Sequence, residues 1–367
     1  MNVYLESLGC AKNMVDSEII LGQFADAGWQ IVEDPGRAET IIVNTCSFIK
    51  AAADESIDTI LELARFKEAG SCRRLLVIGC LPERYREAIS PALPEVDAFL
   101  GTGAFDRVVA AAEAVRPPSG CCLPDPDLLP AQAGDARRMV GRLPTAYLKI
   151  AEGCDRRCTY CIIPKLRGRQ RSRPVREIEA EARGLIDQGV KELTLVAQET
   201  TAYGHDRDRP GDLARLLARL AGISGDVWIR LMYGHPASID AATIAVMGEH
   251  ANICSYFDLP VQHAASGVLK RMGRTYTRDD LYRLFERIRT RVPEAVLRTT
   301  VIVGFPGESD QDFKDLEQMV EKIRFDHLGV FTYSDAEDLL SHGLDRHVAP
   351  QVAERRYDNL MRRQMQI

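Results

Sequence analysis

Tyr147-Leu148-Lys149-Ile150-Ala151-Glu152-Gly153-Cys154-Asp155-Arg156-Arg157-Cys158-Thr159-Tyr160-Cys161 is the stretch that decides the fold. Its first five residues read as a short strand delivering a loop. The loop sets Cys154, Cys158 and Cys161 at CxxxCxxC spacing, and Ile162-Ile163-Pro164 then forms an apolar wall. Three thiolates on one short loop can bind three irons of a 4Fe–4S cube, leaving the fourth iron open to a ligand that is not protein. An open iron suits catalysis better than electron storage. Zinc is the rival reading, but structural zinc takes four closed ligands, usually from paired CxxC motifs, and no second pair lies nearby.

Working outward, three apolar runs each end in a cysteine: Val3 to Cys10, Thr40 to Cys46 and Leu75 to Cys80. Amphipathic helical stretches, Asp16 to Ala27 and Phe48 to Ala69, separate them, so the strands should pair in parallel through crossovers. Cys10, Cys46 and Cys80 then all fall at carboxyl ends, the edge of an open α/β sheet where ligands bind. A lone free cysteine is usually a small buried hydrophobe. Three in register point instead to a second shared cluster. Cys72, Cys121, Cys122 and Cys254 follow no common pattern and receive no role.

With 367 residues, 46% of them hydrophobic, the chain should form at least two domains. The expected division is an amino-terminal open parallel-sheet domain over 1–115, a linker over 116–141, a second α/β domain over 142–348 and a carboxyl-terminal helix over 349–367. The linker is marked by Pro117, Pro118, Pro124, Pro126 and Pro130. Beyond it, strand-like runs at 146–151, 192–196, 227–231, 256–259, 297–303 and 327–331 alternate with helical ones, which implies a parallel, curved sheet. The loops after these strands should meet at one mouth. Gln198, Glu199, Arg230, Gln262 and the turn Val303-Gly304-Phe305-Pro306-Gly307-Glu308 are placed there. Gly304 and Gly307 permit close backbone approach to a ligand or a plain strand-to-helix turn. His235 and His263 lie nearby and are read as hydrogen-bonded structural groups.

The net charge of -6 argues against broad phosphate-driven nucleic-acid binding. Charge is nonetheless uneven: residues 1–115 carry 10 Lys and Arg against 18 Asp and Glu, whereas 154–176 carry 8 against 1. Lys165, Arg167, Arg169, Arg171 and Arg173 could orient a cofactor carboxylate, meet RNA at the edge of the substrate site, or form a solvated face. Cysteines kept for iron need a reducing compartment. The start of the chain lacks a secretory pattern and no apolar run is long enough to span a bilayer, so a cytoplasmic location away from membranes is expected.

The CxxxCxxC loop resembles that of the radical S-adenosylmethionine (SAM) superfamily, whose cofactor carries radical chemistry. The superfamily's fold is a partial (β/α) barrel, and the resemblance implies that methionine's amino and carboxylate groups chelate the open iron and that Tyr160 lies by the adenine. Apart from the cysteines, Tyr160 reads equally well as a buried aromatic. The 303–308 turn is similar to the superfamily's fifth-strand cofactor motif, so Gly304, with Gln198 and Arg230, joins the candidate cofactor residues. With both triads present, nearly the whole chain resembles the methylthiotransferase family. Ser7 to Glu18, Gln198 to Gly204 and Asp258 to Ala264 look like the branch that modifies an aspartate of small-subunit ribosomal protein S-twelve. Ala197-Gln198-Glu199 departs from the superfamily's common Gly-Gly-Glu, and Glu337-Asp338-Leu339-Leu340 from the family's Glu-Glu-Gly-Thr. The family's usual small carboxyl-terminal β-barrel (TRAM) is not present in this chain, which stops at Ile367.

This resemblance implies two 4Fe–4S clusters, one on Cys154, Cys158 and Cys161 and one on Cys10, Cys46 and Cys80, with SAM as cofactor. The first would deliver an electron to SAM and yield a 5′-deoxyadenosyl radical that takes hydrogen from the aspartate β-carbon. The second would supply sulfur, and a separate SAM the methyl group. The implied partners are ribosomal protein S-twelve or the small ribosomal subunit and an external electron donor. Within the same class the alternative is methylthiolation of a tRNA adenosine. From another class comes a non-catalytic two-cluster redox or sensor protein, which would not cleave SAM.

Overall fold

The computed structural model of the chain describes residues 1–114, 120–128, 137–140, 144–207 and 212–367. Two compact units emerge. The first contains Met1–Leu143, Glu152–Cys154 and Ile163–Arg173; the second contains Pro144–Ala151, Asp155–Ile162 and Pro174–Ile367. The expected boundary at 142 is thus interrupted twice. The segment 163–173 joins the first unit because Arg167 is buried there against Asp16, at 2.7 Å, in place of the solvated face a basic run suggests.

The first unit is a six-stranded parallel sheet of β1 (Asn2–Ser7), β2 (Gln30–Ile31), β3 (Thr40–Thr45), β4 (Arg74–Gly79), β5 (Ala98–Leu100) and β6 (Cys121–Cys122), in the order β2-β1-β3-β4-β5-β6. β3 is buried along its whole length and β4 after its first residue, as continuous apolar runs covered on both faces should be. Ile41, Val43, Leu75 and Val77 pack into one core and Ile42, Leu76 and Ile78 into the other. The helices Ala11–Asp26 and Lys50–Ala64 make the crossovers that parallel pairing demands. Cys121 and Cys122, expected within a linker, instead pair in register with Phe99 and Leu100 as an edge strand. Pro117, Pro118 and Pro130 lie outside the described residues.

The second unit opens with β7 (Thr145–Lys149). Two short strands follow along the chain, β8 (Ala151–Glu152) at the boundary and β9 (Arg171–Ser172) within the first unit; the second unit then continues with β10 (Glu192–Val196), β11 (Trp228–Leu231), β12 (Tyr256–Asp258), β13 (Val296–Val303) and β14 (His327–Thr332). β7, β10 and β11 form one parallel sheet and β12, β13 and β14 another. A parallel bridge from Ile229 to Ile253 connects them, so the six strands run in sequence order as a curved, open barrel wall. The helix expected over 349–367 spans Pro350–Gln364, with its proline in the first turn where a missing amide costs nothing.

Candidate active site

In the first unit, three neighbouring strands hand their cysteines to one edge. Cys10 precedes the helix Ala11–Asp26 with extended backbone, Cys46 follows β3 directly, and Cys80 opens the short helix Cys80–Tyr85 directly after β4. A polar net fixes these loops to one another. Asn13 donates to the carbonyls of Leu8 (3.0 Å) and Thr45 (2.9 Å), while Asn44 donates to Asn13 O and Ser17 Oγ. Ser47 Oγ donates to Cys80 O at 2.9 Å, and Cys46 both donates to and accepts from Ser56 Oγ.

Glycines make room for the convergence. Gly9 (φ +91°) would place a Cβ 2.6 Å from Cys46 Cβ and 3.2 Å from its sulfur, and Gly79 (φ +94°) would place one 2.5 Å from Asn44 Oδ1. Any side chain at either position meets both a left-handed backbone and a filled space. Burial pushes the Cys80 thiol up to about 12, opposed by Arg167 and reinforced by Cys46 and Cys10. Burial likewise raises Cys46, against the Phe48 amide and with Cys10 adding to it. Cys46 and Cys80 therefore resist becoming thiolates until a cationic ligand compensates the charge. Among the described residues no three cysteine, histidine or carboxylate groups close on a single-ion site. A cluster of several atoms does not need its ligands to meet at one point. The donor set and the glycine-lined edge fit an iron–sulfur cluster.

The CxxxCxxC cysteines are half-buried. In the first unit Cys154 N donates to Gly168 O at 3.0 Å, and Gly153 (φ +80°) lies so close to Arg169 O that no Cβ fits. In the second unit Cys161 N donates to Cys158 O, and the Thr159 amide and hydroxyl donate to the carbonyls of Met272 and Arg271. The loop backbone is thereby held in place around three half-buried thiols, a donor set that fits the resemblance's cluster.

Around the strand ends of the second unit, Tyr160 packs edge-on to Phe305 at 6.3 Å within a cluster of Val268, Met272 and Tyr333. Its hydroxyl accepts from Arg274 at 2.5 Å, and Arg274 stacks on both Tyr160 and Tyr276. Burial raises the Tyr160 hydroxyl well above its usual value, with Arg274 opposing. Glu199, buried after β10, forms a two-pronged pair with Arg156 (2.7 Å on each prong) and accepts from Ser238. Burial pushes Glu199 up, but the Arg156 hydrogen bonds, His235 and Ser238 together hold it below the ordinary range. Tyr233 (φ 60°) and Gln262 (φ 68°), just past β11 and β12, adopt left-handed backbone, the kind of strain that concentrates at functional sites. Gln198 is half-buried beside Glu199.

Two candidates are placed differently from the expectation. Arg230 lies within β11 and pairs with Glu192 at 2.7 Å, at the start of β10, so its guanidinium faces away from the strand-end mouth. Gly304 (φ +77°) makes its close approach to Ala353, whose Cβ would be 2.5 Å from an added one, and its amide donates to Glu308. Gly307 similarly faces the Arg271 guanidinium. The 303–308 turn is thus closed by its own Glu308, which also takes the Phe305 amide and lies 3.2 Å from Arg356. His263 is fully buried and accepts from the Ala265 amide, in keeping with a structural role. Arg156 and Arg274 were not singled out from sequence; Arg156 stood inside the cysteine motif, the one clue to it.

His235 is the clearest pH-sensitive group. Burial pushes it down to about 3, with Arg274 adding and Glu199 opposing. The unfolded chain protonates this histidine near pH 6.5, while the folded chain does not until about pH 3. Stability is therefore full above pH 6.5 and falls as pH drops through that window, by up to about 1.36 kcal/mol per unit from this group. Urea unfolding at stepped pH should show that slope, and His235→Gln should flatten it.

Residues 2–101 match the model described as uncharacterized protein family UPF0004, and residues 148–320 match the radical SAM superfamily. The chain is 57% identical to the ribosomal protein uS12 methylthiotransferase RimO of Desulfosudis oleivorans, over 100% of this chain and 84% of that protein. Identity to the protein of the same name from Clostridioides difficile is 45%, over 100% and 83%. Among solved structures, a radical S-adenosylmethionine methyltransferase, TsrM, from Kitasatospora setae superposes with a TM-score of 0.67 at 15% identity, over 90% of this chain and 72% of that one. That likeness concerns the fold. Among the described residues no helix is long and apolar enough to cross a membrane. With both domain models matched in order and full-length identity this high, the chain belongs to the ribosomal protein uS12 methylthiotransferase family of radical SAM enzymes.

Proposed function

We propose that Cys154, Cys158 and Cys161 hold the catalytic 4Fe–4S cluster, that Cys10, Cys46 and Cys80 hold an auxiliary one, and that the enzyme places a methylthio group on the β-carbon of an aspartate in ribosomal protein uS12. The observation that carries this reading is the second triad: three strands deliver cysteines to one sheet edge in a chain that also bears the radical loop. When bound, the clusters and SAM supply the electron, the hydrogen-abstracting radical, the sulfur and the methyl group.

The chain's own residues bind and orient. Asn13, Asn44, Ser47 and Ser56 fix the three loops of the auxiliary triad. Thr159 pins the radical loop to the end of the helix Ser266–Arg271 through the Met272 and Arg271 carbonyls, and Tyr160 packs with Phe305 as an apolar wall. Glu199, kept ionised by Arg156 and engaged by Ser238, ties the segment after β10 to the radical loop. Gly304 serves this region by shaping its turn. The setting is the cytoplasm, with an external electron donor.

The substrate is tested by mass. Isolated uS12, or intact small subunits, incubated anaerobically with reductant and SAM should gain CH3–S in place of hydrogen on one aspartate. Unmodified tRNA under the same conditions should gain nothing; methylthiolated adenosine with uS12 unchanged would replace this reading by the tRNA one.

A further inference from the structure

Arg167 follows the radical loop in sequence, yet within the first unit it is buried at the auxiliary triad, with 3% of its side chain exposed. Nη1 pairs with Asp16 Oδ2 at 2.7 Å and lies 3.5 Å from Glu152. Nη2 turns the other way. It donates to Asn13 Oδ1 at 2.5 Å and to the sulfur of Cys80 at 3.5 Å. The same Asn13 oxygen faces Cys10 Sγ at 3.8 Å, and the Phe105 ring lies 5.9 Å from the guanidinium carbon. A guanidinium serving only to neutralise Asp16 would present both prongs of its fork to that carboxylate, the preferred arrangement. Here one prong is spent on sulfur and on the side chain that also meets Cys10.

We propose that Arg167 is a positioning residue for the auxiliary cluster: it holds the Cys80 sulfur by a charge-assisted hydrogen bond and sets the cluster's reduction potential. The proposal rests on the reading that Cys10, Cys46 and Cys80 hold that cluster. Hydrogen bonds to ligand sulfurs and nearby charge are the levers by which a protein tunes such a centre. A buried cation favours the reduced form, which carries one more negative charge. Asp16, holding Arg167 from the far side, weakens that pull. The next residue, Gly168, accepts from Cys154 N at 3.0 Å, so the segment that carries Arg167 also holds the backbone of a radical-loop cysteine.

The test uses full-length protein with Cys154, Cys158 and Cys161 replaced by alanine, so that only the auxiliary centre is read. Iron content comes first: a parent holding about four irons supports the underlying reading, and a parent holding none overturns that reading instead of the role of Arg167. Midpoint potentials are then measured by electron paramagnetic resonance during redox titration. Arg167→Gln should shift the reduction equilibrium about tenfold towards the oxidised form, ~59 mV lower for a one-electron couple. Asp16→Asn should shift it the opposite way, and the charge-balanced Arg167→Gln/Asp16→Asn, which leaves no unpaired member of that pair, should return towards the parent. Arg167→Lys, which keeps charge without the fork, should restore part of the shift. Iron lost from Arg167→Gln and kept in Asp16→Asn at equal thermal stability also supports the assignment. Unchanged potentials in folded, iron-loaded Arg167 variants, or equal iron loss from both single variants, overturn it and leave Arg167 a structural partner of Asp16.

Discussion

Replacing Cys154, Cys158 and Cys161 together by alanine should abolish release of 5′-deoxyadenosine on reduction with SAM, and should lower bound iron from about eight to about four per chain. The loop backbone has hydrogen bonds of its own. Its hydrogen bonds run from the amides of Cys154, Thr159 and Cys161 to carbonyls of Gly168, Met272 and Cys158, so the variant should fold and keep the first unit intact. Iron analysis and chromatography of the nucleoside product check both numbers on one preparation. Loss of all iron would mean a single shared cluster and would refute the two-site assignment.

The complementary variant, Cys10→Ala/Cys46→Ala/Cys80→Ala, should show the opposite pattern. It should release 5′-deoxyadenosine, because none of its changes touches the CxxxCxxC loop, and should form no methylthiolated product. Cys10 and Cys46 are half-buried and Cys80 is buried, all three just beyond the strands, so alanine leaves the sheet pairing untouched and loss of product would reflect lost chemistry. Product mass and nucleoside yield from the same reaction separate the two steps. Full methylthiolation in this variant would remove the sulfur-donating role from the first unit.

Much of this architecture was legible because its signals are local. The apolar runs at Thr40 and Leu75 are too short for helices and end in Asn44-Thr45-Cys46 and Gly79-Cys80, so strand, turn and cysteine could be read in a few residues. What escaped depended on register and on partners far along the chain. Arg230 seemed bound for the mouth until parallel pairing set Thr194 beside it and brought Glu192 within reach. The close approach of Gly304 to Ala353 was hidden too, because the helix Pro350–Gln364 lies far along the chain. Composition marked Arg167 as one basic residue among five, and nothing local distinguishes a solvated arginine from one buried against Asp16.

The two cysteine sets also differ in when they come into being. Cys154, Cys158 and Cys161 are near one another on any chain, folded or not, since one short loop carries them. Cys10, Cys46 and Cys80 become neighbours only after β1, β3 and β4 have paired in parallel through two long crossovers, contacts of high sequence separation that form slowly. On the proposed assignment, iron delivery to the first unit must therefore wait for a finished sheet. In biogenesis the auxiliary site is the late one, and an unfolded or newly made chain offers an iron carrier only the radical loop.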